Sequence, residues 1–335
     1  MRFRPSRFIL PCFLVLAFSV SLPAQNREPS PNVNLPAPVG RCMSSETLRE
    51  MPLYPLPAPG NGTEDDSYKV TAMELEGLSV ADTAELGKWT RLRRLKIKGE
   101  VDPKALPVIE KMWGLCMLEI ENAGEMDLEE ALQVIRVHSK VEYLSIYNSK
   151  QGNLPGSIGK LTRLRELKLQ SNGFFELPPE MAALQNLRYL SLAGNQFSEI
   201  PSFLADLPAL EYLDLHRNKL RTLPPGSLRF PTVEKIDIGG NPLKSIHFEA
   251  NDLPKVEILK IGQAKLKEMP LEAANLPKLK MLDLFNNRIK KLPSNLNGFP
   301  KLVSLNLNGN KIKTLPQWAQ DLGGKISLAR NPISK

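Results

Sequence analysis

Apolar residues recur at an interval of 23 along most of this chain, where Leu164, Leu187, Leu210, Val233, Val256, Leu279 and Leu302 each open the same phrase. The phrase is clearest at Leu210, Leu213, Leu215, Asn218, Leu220, Leu223 and Pro224, which fit L-x-x-L-x-L-x-x-N-x-L-x-x-L-P. Its first half alternates with the period of two expected of a strand, so each unit contributes one strand. Strands contributed at constant spacing by units of one length stack as a parallel sheet. Units this short cannot bury their own apolar face and become stable only against copies of themselves.

The remaining positions describe the turns. Asn172, Asn195, Asn218, Asn241, Asn287, Asn310 and Asn331 fall where the chain leaves the strand and turns inward, where an amide can both donate to and accept from buried backbone. The Leu-Pro steps at 177–178, 223–224, 292–293 and 315–316 anchor one apolar side chain and then remove a backbone donor. They predict a returning limb that is extended or made of short helical turns. Units before 141 are degenerate: Val70, Met73 and Leu75, then Leu92, Leu95 and Ile97, then Leu115, Leu118 and Ile120 lack the Asn and the Leu-Pro. Terminal repeats are expected to depart from the pattern. Residues 128–137 have helical spacing and predict a true helix in one returning limb. The last strand is expected at 326–328, leaving an open edge near Lys325, Arg330 and Lys335 through which copies of the chain could pair.

The phrase resembles leucine-rich repeat proteins of the 23-residue class with Leu-Pro in the second half, as in Ras-group scaffolds, plant resistance proteins and bacterial secreted repeats. The register holds from 141 to 322. The resemblance implies an α/β fold: a right-handed solenoid with a parallel concave sheet of about 11–12 strands and short helical or extended convex limbs. Proteins of this family mostly bind other proteins on the concave side. Animal extracellular relatives usually carry cysteine-rich caps, whose lack here leans towards a bacterial exported protein.

Outside the repeats, Arg2, Arg4 and Arg7 precede an apolar run over 8–20 and then Ser21-Leu22-Pro23-Ala24, the arrangement of a secretory signal. The reading is a signal peptide at 1–24, a proline-rich leader at 25–67, and a repeat domain at 68–335, degenerate over 68–140 and regular over 141–335. Export follows, to the outside or to a bacterial periplasm or cell surface, with no transmembrane segment once the signal is removed. Within the leader, residues 44–51 predict a short helix capped by serine that shields the open end of the first repeat. Asn61-Gly62-Thr63 has the form of a glycosylation acceptor, without weight on its own.

Composition changes this picture little. The formal charge of +8 falls to +5 when three basic residues leave with the signal, too mild to argue for nucleic acid. Cys12 lies inside the signal; Cys42 and Cys116 either pair in an oxidising compartment or stay as free thiols. His138, His216 and His247 lack metal-ligand spacing, and Gly239-Gly240 lacks the lysine and spacing of a phosphate loop. No metal, cofactor or catalytic constellation is expected, and the chain reads as non-enzymatic. The acids Glu119 and Glu121 fall beside Lys96 and Lys98 in register, which predicts neutralisation across strands.

Positions two, three, five, seven and eight of each phrase point away from the core. Position three carries Tyr143, Tyr189 and Tyr212, position seven adds Tyr147, His216 and Phe285, and Lys168, Asp214, Arg217 and Asp237 lie among them. With strands about 4.8 Å apart, Tyr189 and Tyr212 are expected to stack, with Tyr143 about 10 Å from Tyr189 across Glu166. Exposed Tyr with Arg is the composition of binding hot spots. These ten residues are the candidate site for a protein or peptide ligand. The competing readings are an envelope or adhesive component that self-associates through the C-terminal edge, and an intracellular signalling scaffold if residues 1–24 are not a signal.

Overall fold

In a computed structural model the described residues are 42–55 and 71–335, apart from 90, 125, 138–139, 151, 250, 296–298, 300, 322 and 335. They belong to one unit, 39–335. The expected signal, most of the leader, Cys12, the Asn61 tripeptide and His138 lie outside the described residues.

One alternating phrase per repeat produces one strand per repeat: β1 (Tyr54–Pro55), β2 (Ala72–Leu78), β3 (Arg94–Val101), β4 (Met117–Glu121), β5 (Tyr143–Tyr147), β6 (Glu166–Lys168), β7 (Tyr189–Ser191), β8 (Tyr212–Asp214), β9 (Lys235–Asp237), β10 (Ile258–Lys260), β11 (Met281–Asp283), β12 (Ser304–Asn306) and β13 (Ile326–Ser327). Each described strand pairs in parallel with the one before it, giving an open sheet of 13 in chain order. That is one more than the 11–12 read from the repeats. The addition is β1, which comes from the proline-rich segment read as spacer and pairs Tyr54 with Met73 at the sheet edge. The fold is the leucine-rich repeat solenoid.

The spine behind the sheet is continuous. Leu164, Leu187, Leu210, Val233 and Val256 are fully buried, as are Leu190, Leu213 and Leu259 at the centres of β7, β8 and β10. Each such leucine contributes about 1.5–3 kcal/mol of burial before ordering entropy is subtracted. The returning limbs are short 3-10 turns at Gly156–Lys160, Pro179–Ala183, Ser202–Asp206 and Leu271–Asn275, each entered through a proline: Pro155, Pro178 and Pro270 in extended conformation, and Pro201. The α-helix spans Leu128–Val137, where the spacing predicts it.

The asparagine column is a hydrogen-bonded ladder. Asn218 donates through Nδ2 to Leu192 O of the preceding coil and Leu215 O of its own, while its Oδ1 accepts from Phe197 N. Asn241 repeats this with Leu215 O, Ile238 O and Leu220 N, and Asn195, Asn287 and Asn310 follow the same scheme. At 149 a serine takes the place, and at 264 a buried alanine does, so the amide rung is missing there. The residue just before each rung is left-handed: Gly194, Gly240 and Gly309, but also Ser171 (φ 59°), Arg217 (φ 54°), Gln263 (φ 55°) and Asn286 (φ 52°).

In the degenerate first units the strands run longer. β2 and β3 have 7 and 8 residues, against 3 in β6–β12. Without an inward turn after the third residue, alternation continues. The extra positions carry a grid of charges on the outward face.

Candidate functional site

The outward sheet face has two parts, divided by the segment at 42–51. Ser44 caps α1 (Ser45–Glu50), its hydroxyl accepting from Thr47 N. The expected helix therefore exists, but it does not close the first repeat's end: β1 occupies that edge, and α1 lies across the sheet face over β3–β6. Its buried Leu48 packs on Cys116 and Met117, with Cys42, Met43, Met51 and Tyr143 around it. Arg94 of β3 donates to the carbonyls of Leu48 (3.3 Å) and Arg49 (2.8 Å), satisfying the end of the helix. Tyr143 of β5 donates its hydroxyl to Met43 O at 3.0 Å, and Arg49 reaches Glu166 of β6 in an ion pair. Cys42 and Cys116 form a disulfide with Cα atoms 5.7 Å apart. We call residues 42–51 the strap.

Beside the strap, the charge grid closes on itself. Lys96 and Lys98 stand in register with Glu119 and Glu121. The bonds run diagonally: Arg94 to Glu119 (2.7 Å), Lys96 to Glu121 (3.2 Å) and Lys98 to Glu74 (2.5 Å). The side chains reach one row along because a long cation meets a carboxylate better on the diagonal than directly opposite. This part of the face is self-neutralised.

Past the strap the face changes character. Tyr189 and Tyr212 are paired in register on β7 and β8, and their rings stack at 4.4 Å with planes 8° apart. Lys168 Nζ lies 5.2 Å from the Tyr189 ring centre and also bonds Glu166 at 2.9 Å. Partial burial raises both phenols, with the Asp214 charge adding to it; Tyr189 is pushed up to about 12. Burial pushes the Glu166 carboxyl up, but the hydrogen bond and charge of Lys168, with Arg49, outweigh it and hold the group below its ordinary value.

The acids of position five face their own turns. Asp214 Oδ1 accepts from His216 N and its Oδ2 from Ser191 Oγ, Asp237 accepts from Gly239 N, and Asp283 accepts from Phe285 N. Each locks the chain two residues on, as short acidic side chains do. Burial raises the Asp237 carboxyl, which lies 3.5 Å from His216 Nδ1. That nitrogen is buried without a formed hydrogen bond, and the 3.5 Å approach to Asp237 lies beyond the usual hydrogen-bond range. Beyond His216, position seven holds Gly239 and Gly262; a side chain at Gly262 would meet the Phe285 ring at 2.2 Å, so Phe285 lies over that glycine. The result is a shallow floor between the tyrosine pair and Phe285.

Of the ten candidates, the structure groups Lys168, Tyr189, Tyr212, Asp214, His216, Asp237 and Phe285 along one continuous strip. Tyr143 stands at its expected register but is engaged by the strap. Tyr147 is 40% exposed on β5, in register with Glu121. Arg217 is exposed and occupies the left-handed place before Asn218. Sequence reasoning passed over Arg49 and the strap's position; the one hint was a cysteine on each side of a helical segment. It also passed over the left-handed column, which Gly194, Gly240 and Gly309 mark at one repeat position. Among the described residues no cluster of three or more His, Cys, Asp or Glu is placed to hold a metal ion, and no helix is long and apolar enough to cross a membrane.

Comparison with known proteins gives the family. The leucine-rich repeat family model matches residues 162–220 and 185–243, and a model of two leucine-rich repeat copies matches 277–320. No curated protein matches in sequence. Among solved structures, a leucine-rich repeat protein of Leptospira interrogans is 23% identical with a TM-score of 0.61, covering 84% of this chain and 83% of that one. A chain of the Drosophila Toll–Spatzle complex is 21% identical with a TM-score of 0.63, covering 82% of this chain and 38% of that one. A chain of the TLR13–ssRNA13 complex is 20% identical with a TM-score of 0.65, covering 81% of this chain and 45% of that one. The chain thus spans under half the length of these last two, and at such identities the likeness is one of fold. Phrase, ladder, parallel sheet and matching family models agree: the chain is a leucine-rich repeat protein.

Proposed function

We propose that this chain is an exported, non-enzymatic binding module that recognises a protein or peptide on the outward sheet face between the strap and Phe285. The observation that carries the reading is the stacked Tyr189–Tyr212 pair, half-buried at the centre of the strip that the strap leaves open. Two rigid rings cost little conformational entropy on binding, and burying them against a partner is the usual origin of a hot spot. The Toll–Spatzle complex, and the complex of plant peptide hormone receptor RGFR1 with RGF2, are similar folds that hold a partner.

Export is supported by the charged-then-apolar arrangement of 1–24 and by the Cys42–Cys116 disulfide, which persists in an oxidising compartment. The function test compares partners cross-linked to the wild type and to Tyr189→Ala/Tyr212→Ala. Truncating one hot-spot ring is expected to weaken the true partner by about 30-fold or more, at roughly 2 kcal/mol per ring, and truncating both by more than either alone. An unchanged partner set removes this strip from consideration. For export, N-terminal sequencing of the native protein is expected to begin after Ala24, and an intact Met1 defeats that part of the reading.

A further inference from the structure

The modest net charge conceals a local excess on a different surface. Just after each ladder asparagine the chain runs extended beside the preceding coil, with backbone bonds Lys265 N to Leu243 O, Arg288 N to Leu266 O and Lys311 N to Ile289 O at 2.8–2.9 Å. Burial alternates along this limb: Leu220, Leu243, Leu266, Ile289 and Ile312 point into the core, and the residues on either side of each point out. The outward position before the buried one holds Lys219, Lys265, Arg288 and Lys311, all exposed. The position after it holds Arg221, Lys244, Lys267, Lys290 and Lys313, again all exposed, and Lys291 adds one more. Earlier coils carry Gly173, Phe175, Gln196 and Ser198 at these places, so the two basic rows begin abruptly at Lys219.

These cations stand together without a carboxylate partner, unlike several cations on neighbouring surfaces. Arg188, Arg229 and Lys280 each meet an acid at 2.7–2.8 Å, and Lys260 approaches Asp237. Of the ten cations in the rows, none takes part in an ion pair among the described residues; Lys219 bonds only the neutral Gln196. A groove of about 520 Å³ runs between Lys267, Arg288, Lys290, Lys291 and Lys311, with Glu268 the one acid in its lining. Like charges stacked coil upon coil repel, and nothing within the repeat repays that cost.

From these rows we infer that the flank of residues 219–313 is a binding site for a single chain of linear anionic polysaccharide. Coils follow at about 4.8 Å, so five coils carry the ten charges over about 20 Å, a density of about one per 2 Å that approaches the one per 1.7 Å of a nucleic-acid duplex. The ligand is therefore a polyelectrolyte. Its width is set by the two rows, about 7 Å apart for residues two apart in an extended limb, which fits one polymer strand better than a duplex or a flat bilayer. Single-stranded nucleic acid is held by aromatic stacking platforms, and neither row contains an aromatic residue. Eight of the ten are Lys, point charges without the fork that selects planar phosphate geometry, which suits charges spread along a polymer rather than one phosphate group. The choice also rests on the proposed export, which the disulfide supports and which takes the chain away from the cytosolic pool of nucleic acid.

The test uses the whole protein and a heparin octasaccharide as probe. Calorimetry is run across a salt series on wild type, on Lys267→Gln/Arg288→Gln/Lys290→Gln/Lys311→Gln, and on a charge-matched control, Arg188→Gln/Arg229→Gln/Lys260→Gln/Lys280→Gln. The expected result is binding by the wild type with a steep salt dependence, a slope of log K against log salt shallower by about 3 in the first variant, and little change in the control. Single changes Lys267→Glu and Lys290→Glu, both at exposed positions, give the same direction should the quadruple variant melt early. Absence of binding at low salt overturns the proposal, as does equal weakening of both quadruple variants. So does tighter binding of a charge-matched oligothymidylate or of phosphatidylserine vesicles than of the octasaccharide.

Discussion

At the scale of single residues, the ladder explains what the repeat tolerates. Ala264 stands between Asn241 and Asn287, each of which uses one amide to hold at least three backbone groups. An asparagine there would reach Ile238 O, Ile261 O and Leu243 N by the same register. Ala264→Asn is expected to stabilise by about 1 kcal/mol, and Asn218→Ala to cost about 1–3 kcal/mol by stranding buried groups, both read as shifts in urea midpoint. Arg217 shows the opposite economy. Its φ of 54° is one that L-residues with long side chains resist by roughly 1–2 kcal/mol, whereas Gly194 and Gly240 hold the same place freely. Arg217→Gly is expected to raise the melting temperature, less than the full strain because glycine also frees the unfolded chain. Asp237 supplies a pH test. Burial lifts its folded carboxyl above the ordinary 3.8, so the ionised form costs stability at neutral pH, and that cost fades as pH falls through the folded value. Asn306 makes the same turn bond without charge. Asp237→Asn is therefore expected to be more stable than wild type at pH 7, with the gap closing near pH 3; a gap independent of pH would contradict it.

At the scale of elements, the repeat strands were legible because their period leaves no other stacking, and the helix at Leu128–Val137 because its apolar spacing is helical. The strap was legible only as a helix. Ser44 and the sequence to Glu50 specify its local structure, but its site is set by long-range partners, Arg94, Cys116, Tyr143 and Glu166, that no local pattern announces. The same holds for the candidate strip: positions three and seven could be read from register, whereas engagement of Tyr143 by Met43 and closure of the acids on their own turns depend on contacts between coils. The strap's attachment should be acid-sensitive. Glu166 is held below its ordinary 4.5, so the stability it contributes is complete above that value and lost as pH falls through the lower folded one. Hydrogen exchange at 42–51 is expected to accelerate as pH drops below the ordinary 4.5, after correction for intrinsic rates, and this pH response should shrink in Arg49→Gln. Because the disulfide joins residues 74 apart, Cys42→Ser/Cys116→Ser should lose up to about 4 kcal/mol by the loop-entropy estimate, and the strap with it.

At the scale of the repeat unit as a whole, one spine serves two outward surfaces: the tyrosine strip on the sheet face, and the basic rows beyond the ladder. In a stack where each coil touches only its neighbours, stability is close to a sum of coil and interface terms, so damage is felt according to where it falls. Leu213 is fully buried between Leu190 and Ile236, with a coil packed on each side. Leu213→Ala is expected to cost 2–5 kcal/mol, the range of core cavities. Ile326 of β13 is only partly buried and pairs on one side, with Leu305. Ile326→Ala should therefore cost markedly less and should loosen the last coil before the rest, seen as early hydrogen exchange at 326–334 with the central ladder still protected. If both substitutions instead lowered stability equally and exposed every coil at once, the solenoid would behave as one indivisible core. The separation of its two surfaces would then give no independence, since a ligand on either would stiffen the whole array.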